Sequence, residues 1–156
     1  MERLPHPRSS PGHPMLITAK DAARRFYPRL EEAIHSGDFS LLDDVIQHDA
    51  IDHHPDPDMK PGREGIKEAF AGLRTAFPDV RFVLEDLVAE GDKVACRVLP
   101  RATHLGPFMG FAPTGLPVAY TVLDLLRFSA DGRLLERWGL VEESHLRQQL
   151  ARAPRR

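Results

Sequence analysis

Residues 118–142 read VAYTVLDLLRFSADGRLLERWGLVE, and this stretch decides the fold. Apolar side chains alternate with others over 118–128 and again over 134–142, a spacing typical of β-strands. The dipeptide Asp131-Gly132 between the two runs favours a tight turn. The stretch therefore predicts two long antiparallel strands joined as a hairpin.

The flanking sequence adds strands on one side of this hairpin and helices at both ends of the chain. Two further alternating runs, 80–90 and 94–104, precede it. Helical spacing of apolar residues predicts helices, and a short apolar run predicts another strand. The remaining predicted elements are helices at 19–35, after Asp38, at 63–77 and at 144–150, and a strand at 50–54. Helices followed by a meander of long strands predict an α+β fold with a strongly curved sheet wrapped around the N-terminal helices.

The chain of 156 residues suits one domain, which we expect to cover residues 15–151. Residues 1–14 are rich in Pro, Ser, His and Arg and predict a disordered N-terminal arm. Residues 152–156 are expected to form a flexible tail.

Composition excludes several classes of partner. A formal net charge of −2 gives no basic surface for nucleic acid. No stretch approaches the roughly 20 apolar residues of a membrane helix. The one cysteine, Cys96, excludes an internal disulfide and fits the reducing cytoplasm, although a secreted protein without disulfides has the same count.

The candidate for chemistry is Asp124. Alternation places it on one strand face with apolar or aromatic residues, and these are Val118, Tyr120, Val122, Leu126 and Phe128. A carboxylate buried there costs several kcal/mol unless it is paired or protonated. Asp124 is therefore either an acid/base group in a cleft or the partner of an arginine such as Arg137 or Arg97.

Whether Asp124 is an acid/base group or the partner of an arginine depends on the pairing register of the hairpin. A left-handed Gly132 closing a three-residue loop gives one register. Its facing pairs are Phe128 with Leu134, Asp124 with Trp138, and Tyr120 with Glu142. A loop that differs by one residue places Arg137 opposite Asp124 instead and favours the ion pair.

Three histidines are candidate polar groups near a cavity. His53 and His54 are adjacent on a predicted strand and point to opposite faces, so they do not ligate one metal ion together, and no metal site is expected. One of them is expected to face the cavity. His104 ends its strand beside a Gly/Pro-rich loop, where it is either a group at the cavity rim that contacts substrate or a surface histidine.

The loop 105–117 predicts a flap over the cavity mouth. Its glycines allow wide backbone freedom. Phe108, Met109 and Phe111 provide an apolar underside, and the alternative role of the loop is an ordered dimer contact.

The second face of strand 118–128 is too apolar for a sheet face in water. It carries Leu123 and Leu125, and the neighbouring strands are expected to add Leu135, Val141, Leu99 and Ala95. We expect a two-fold homodimer through this convex face, with Arg97, Arg101 and Arg127 at its rim. The alternative is that the helix at 144–150 covers the face within one chain.

The ordered motifs of the chain resemble those of SnoaL-like polyketide cyclases and ester cyclases, in the nuclear transport factor 2-like superfamily. The matching segments are Asp52-His53, PGREGI (61–66), AFPDV (76–80), EDLVAEGD (85–92), THLGPFMG (103–110), PTG (113–115), DLLRF (124–128) and DGRLLERW (131–138). Each is weak alone, and the ordered set is specific.

This resemblance implies a cone-shaped α+β barrel, usually homodimeric, with a buried apolar pocket and no cofactor. Cyclases of this family close a ring by an intramolecular aldol reaction that uses a carboxylate as acid/base, and Asp124 is the matching interior aspartate. Family members often carry His before the tryptophan and Asp after it. Arg137 and Gly139 occupy those positions here.

Together these observations predict cofactor-independent acid/base chemistry on a small apolar, keto- or ester-type molecule. Asp124 is the expected base, with Tyr120 or His104 as hydrogen-bond donor to the developing enolate. The expected substrate-binding residues are His53, Trp138, Glu142, Phe108, Phe111 and Phe70. The alternatives are a non-catalytic small-molecule binding protein and an epoxide hydrolase-like enzyme on the same fold.

Overall fold

The computed structural model describes residues 16–153, which contain three α-helices, one 3₁₀ helix and six strands. The helices are α1 (Ala19–Ser36), α2 (Gly62–Ala76) and α3 (Glu143–Ala151), with the 3₁₀ helix at Phe39–Asp44. The strands are β1 (Ile46–Asp52), β2 (Arg81–Glu90), β3 (Lys93–Thr103), β4 (Pro117–Ala119), β5 (Val122–Phe128) and β6 (Leu134–Val141).

The α+β fold predicted from the sequence is confirmed, with helices first and then an open, curved mixed sheet. The strand order is β1-β6-β5-β3-β2, and β4 continues alongside β3. β1 pairs with β6 in parallel, and the other pairings are antiparallel. The short strand after the 3₁₀ helix is therefore an edge strand that adds to the end of the meander.

Helix α1 has clear boundaries and packs one face on the sheet. Thr18 caps its N-terminus by accepting a hydrogen bond from the Asp21 amide. Gly37 ends it in the left-handed region with φ of 78°. A stripe of eight buried residues, spaced three or four apart, includes Phe26, Tyr27 and Leu30. This stripe carries the side chains of α1 to the concave face of the sheet.

The strand predicted over 118–128 is interrupted between β4 and β5. Tyr120 donates its backbone N–H to the carbonyl of Pro100 on β3, at 3.3 Å. Pro100 has no N–H to return, so the ladder loses a hydrogen bond at this point. The interruption leaves Tyr120 and Asp124 on the same inner side of the sheet.

The sequence left two hairpin registers open, and neither is present beyond the Phe128–Leu134 pair of the first one. Phe128 faces Leu134 as expected, and Gly132 is left-handed with φ of 82°. Arg127 then pairs with Glu136, so Leu135 is the extra residue of a β-bulge. The bulge shifts every later pair, and Asp124 faces Gly139 rather than Trp138 or Arg137.

Because side chains alternate along a strand, this shift exchanges the faces of β6. Arg137 and Gly139 lie on the inner face with Asp124. Trp138 pairs with Leu125 and lies on the outer face. The bulge therefore decides which residues of β6 reach the site.

The predicted arm at 1–14 lies outside the described residues, as do residues 154–156 of the predicted tail. The assignment of 15–151 to one domain stays a prediction. Among the described helices, none combines the length and apolar character needed to cross a membrane.

Candidate active site

A cavity of about 770 Å³ lies between α1, α2 and the concave face of the sheet. Its wall is mainly apolar and aromatic, with contributions from Phe26, Leu30, Phe70, Phe82 and Val122. Polar groups cluster at one part of the wall, and these are Tyr27, Asp52, Asp124 and Arg137. A mainly apolar cavity with a few convergent polar groups is the usual form of a small-molecule site.

Asp124 is buried on this wall, with 6% of the residue exposed. The Tyr27 hydroxyl on α1 donates a hydrogen bond of 2.6 Å to its Oδ2 atom. The Oδ1 atom is covered from solvent and accepts no hydrogen bond from the described residues. Asp124 therefore has one satisfied and one unsatisfied carboxylate oxygen.

Arg137 joins two buried carboxylates. Its Nη1 atom donates to Oδ2 of Asp52 at 3.0 Å, and its Nη2 atom lies 3.1 Å from Oδ1 of Asp124. The second contact is an ion pair without hydrogen-bond geometry. Asp52 is held in turn by the His54 amide at 2.9 Å. The ion pair that the sequence offered as an alternative for Asp124 is present, and Asp124 still lies on the cavity wall.

Gly139 makes room for this contact. A Cβ atom at position 139 would lie 2.2 Å from Nη2 of Arg137 and 2.7 Å from Oδ1 of Asp124. These distances are far below van der Waals contact, so the guanidinium occupies the space that a side chain at 139 would need. The position of the Arg137 guanidinium therefore requires glycine at 139.

Burial keeps both tyrosines of the cavity in the neutral, proton-donating form. It raises the pKa of Tyr27 well above its usual value, and the negative charge of Asp124 raises it further. Burial likewise raises the pKa of Tyr120 to about 12. For Arg137, burial lowers the pKa, but the charges of Asp124 and Asp52 outweigh it and leave the pKa raised. The guanidinium is therefore charged at any physiological pH.

Tyr120, predicted as a donor, lies on the cavity wall with Asp124. Its hydroxyl makes no hydrogen bond to a described residue. It is therefore available to a ligand.

His104 lies neither at the cavity rim nor on the surface, the two positions that the sequence left open. Its side chain is fully buried and packs against Phe77, with ring centroids 5.7 Å apart. Its Nδ1 atom accepts a hydrogen bond from the Thr114 amide at 3.2 Å. Burial lowers the pKa of His104. His104 therefore fastens the base of the loop 105–117 and makes no contribution to the cavity wall.

Four residues predicted to bind substrate lie away from the cavity wall, and these are His53, Trp138, Glu142 and Phe111. His53 stacks on Trp138 on the outer side, with ring centroids 4.3 Å apart. Glu142 is exposed at the start of α3. His54 is the histidine of the pair that reaches the cavity.

Of the three phenylalanines predicted to bind substrate, two line the cavity and one does not. Phe70 and Phe108 line the cavity, and Phe108 also packs edge-on against Phe77, with ring centroids 4.9 Å apart. Phe111 is half-buried against the core and pairs with Phe108 through two backbone hydrogen bonds. Met109 between them has φ of 51° and also lines the cavity. The loop thus presents Phe108 and Met109 to the cavity, while Phe111, which was expected beside them, packs against the core instead.

The sequence analysis missed Tyr27 and assigned no role to Asp52. Tyr27 falls within the buried stripe of α1, so a hydroxyl on an otherwise apolar helix face was the available signal. Asp52 had no such signal, because its direction depends on the parallel pairing of β1 with Arg137 on β6. Within residues 16–153, no group of three or more His, Cys, Asp or Glu side chains is placed to hold a metal ion.

A helix-packed curved sheet with a polar cluster inside an apolar cavity is typical of small α+β proteins with a site for a small molecule. The sequence model of the SnoaL-like polyketide cyclases matches residues 24–150, and the chain belongs to this family.

Several solved structures are similar to this chain in both sequence and fold. IdmH from Streptomyces antibioticus, described as a putative polyketide cyclase, is 35% identical with a TM-score of 0.71, over 85% of this chain and 98% of that one. A putative polyketide cyclase from Acidithiobacillus ferrooxidans is 31% identical with a TM-score of 0.72, over 87% and 96% of the two chains. TsrD from Streptomyces laurentii is 25% identical with a TM-score of 0.71, over 83% and 94%. Comparison with curated proteins finds no match.

Proposed function

We propose that this protein catalyses acid/base chemistry without a cofactor, of the cyclase or isomerase type, on a small keto- or ester-type molecule bound in the cavity. Asp124 is the proton acceptor and Tyr120 a donor to a substrate oxygen. Membership of the SnoaL-like family supports a reaction of this type.

The observation that carries the proposal is the position of Asp124. It is a buried carboxylate on the wall of a 770 Å³ apolar cavity, with Oδ1 free of hydrogen bonds. Tyr27 fixes its orientation through Oδ2. A carboxylate that is oriented but not fully satisfied is suited to accept a proton from a bound molecule.

Exchange of a carbon-bound proton tests this function without knowledge of the natural substrate. We suggest 2-tetralone as the probe, with loss of its α-proton signal in D₂O followed by NMR. The protein should accelerate exchange above the buffer rate, and Asp124→Asn should lower that acceleration by about 100-fold or more. Asp131→Asn, in an exposed turn, is the matched control. A fully active Asp124→Asn protein would contradict the assignment.

Small-molecule binding without catalysis is the second candidate function. The observation in its favour is the ion pair, because Arg137 covers Oδ1 of Asp124. On this proposal, 2-tetralone binds the wild-type and Asp124→Asn proteins alike, and neither protein accelerates exchange.

We also propose that the protein acts as a homodimer through the outer face of the sheet. Leu123 and Leu125 are 52% and 37% exposed there, and α3 does not cover them. The expected contribution of Val141 is wrong, because the bulge places Val141 on the cavity wall and brings Trp138 to the outer face. Arg97 and Arg127 lie beside this apolar patch and are paired with acidic residues.

We infer a cytoplasmic site of action from the single, buried Cys96, because reducing compartments favour proteins without disulfides. Burial raises the pKa of its thiol to about 12, which removes it as a nucleophile.

A further inference from the structure

Arg137 brings a positive charge to the cavity wall. Of the residues described as lining the cavity, it is the only lysine or arginine. Its side chain is 18% exposed, so part of the guanidinium faces the cavity. It lies directly against the proposed base, Asp124.

The two ends of the guanidinium are held differently. Nη1 is fixed by a hydrogen bond to Asp52, which the His54 amide holds in place. Nη2 touches Oδ1 of Asp124 at 3.1 Å, but no N–H is directed at that oxygen. On the cavity wall, a donor that makes no hydrogen bond, Nη2 of Arg137, therefore lies beside an acceptor that receives none, Oδ1 of Asp124.

This arrangement matches the needs of a carbonyl compound that loses an α-proton. The α-carbon and the carbonyl oxygen are separated by two bonds, and they need a proton acceptor and a hydrogen-bond donor side by side. A charged donor at the oxygen is most effective when the charge on that oxygen develops in a cavity shielded from water.

Gly139 permits this geometry. The three atoms that a Cβ atom at 139 would meet are Nη2 and Cζ of Arg137 and Oδ1 of Asp124. All three belong to side-chain ends, so a methyl group there would displace the guanidinium rather than the backbone.

We propose that Arg137, placed over Gly139, is a catalytic residue that binds the substrate carbonyl oxygen and stabilises the enolate. The proposal rests on the proposed function, because it needs Asp124 as the base. The substrate class is then a ketone or ester with an acidic α-hydrogen next to the oxygen that Arg137 binds.

The step balances without a further reactant. The α-carbon–hydrogen bond breaks, its proton bonds to Oδ1 of Asp124, and the electron pair forms the carbon–carbon double bond of the enolate. The carbonyl π pair moves to the oxygen, where Arg137 holds the charge. In ring closure, the enolate carbon bonds to a second carbonyl carbon, whose oxygen takes the proton back from Asp124.

In this geometry, a substrate reaches Oδ1 of Asp124 only if it carries an oxygen that binds Arg137. Nη2 of Arg137 lies 3.1 Å from Oδ1, which is shielded from solvent. A carbonyl oxygen that draws Nη2 toward itself uncovers Oδ1, while Nη1 stays on Asp52. A ligand without an oxygen at this position leaves the base covered.

The test pairs 2-tetralone with 2-naphthol at a pH where it is ionised, because 2-naphtholate is a stable planar mimic of the enolate. Affinities are measured by calorimetry and proton exchange by NMR. Gly139→Ala keeps the charge and displaces the guanidinium, and Arg137→Lys keeps the charge and loses the planar donor. Arg133→Lys, an exposed residue of the preceding turn, is the matched control.

Gly139→Ala and Arg137→Lys should each slow exchange by about 100-fold. They should also weaken binding of the 2-naphtholate anion by about tenfold or more while 2-tetralone binding changes little, because a charged donor favours the naphtholate oxygen, which carries more charge than the ketone oxygen. Equal loss of both ligands would show a structural role and overturn the proposal, as would unchanged exchange in both variants.

Asp124→Asn separates this proposal from the proposed function. If Asp124→Asn is inactive while both Arg137-directed variants are fully active, only the role of Arg137 fails. If the wild-type protein neither exchanges 2-tetralone nor prefers 2-naphthol, both proposals fail.

Discussion

Tyr27 and Asp124 lie 97 residues apart in the chain and are joined by a hydrogen bond of 2.6 Å inside the molecule. The bond connects α1 to the middle of β5, so the first helix orients the proposed base. It also satisfies one oxygen of a buried carboxylate, which is costly to leave without a donor.

We expect Tyr27→Phe to destabilise the protein by about 1–3 kcal/mol, because Oδ2 of Asp124 then loses its donor. Tyr120→Phe is the matched control, since the Tyr120 hydroxyl makes no hydrogen bond to a described residue. Urea denaturation followed by circular dichroism measures both. Equal stabilities for the two variants would show that the bond contributes nothing.

Arg137→Met should destabilise the protein by about 3–5 kcal/mol, because it leaves Asp52 and Asp124 buried without a counter-charge. Adding Asp52→Asn should recover part of this loss by removing one of the two charges. The double variant, compared with each single one in urea, measures the coupling. Additive effects would exclude a linked charge network.

The pKa of His104 predicts a loss of stability in mild acid. Burial lowers this pKa below the ordinary value of 6.5, so the unfolded state binds the proton more readily. The contribution is present above pH 6.5 and is lost as the pH falls from 6.5 through the lower pKa of the folded state.

His104→Asn keeps an acceptor near the Thr114 amide and removes this titration. Its stability should therefore vary less with pH between about 7 and 5 than that of the wild-type protein. His145→Gln, which removes an exposed histidine, is the matched control. Identical pH profiles for His104→Asn and the wild-type protein would refute the prediction.

Leu125→Glu should convert a homodimer to a monomer, since it places a charge in the apolar outer face. Light scattering should give twice the 17.5 kDa chain mass for the wild-type protein and the single mass for the variant. Leu16→Glu, at another exposed leucine, should remain dimeric. A wild-type mass of 17.5 kDa would exclude the dimer.

Local patterns in the sequence predicted the elements and the α+β class, and the family resemblance predicted the particular fold. Alternation predicted the strands within a few residues, and Thr18 and Gly37 marked the ends of α1. These signals are local, because side-chain period and capping depend on neighbours a few residues away. The interior position of Asp124 followed from the same alternation.

The site itself was decided by the tertiary structure. A single bulge residue, Leu135, moved Trp138 to the outer face and brought Arg137 and Gly139 to Asp124. The sequence could not predict it, because a bulge shifts a whole strand by one residue while leaving the alternation of each strand unchanged. Tyr27 and Asp52 reach Asp124 and Arg137 only through contacts between distant segments. The sequence therefore determined the elements and the family, and packing between those elements determined which side chains meet in the cavity.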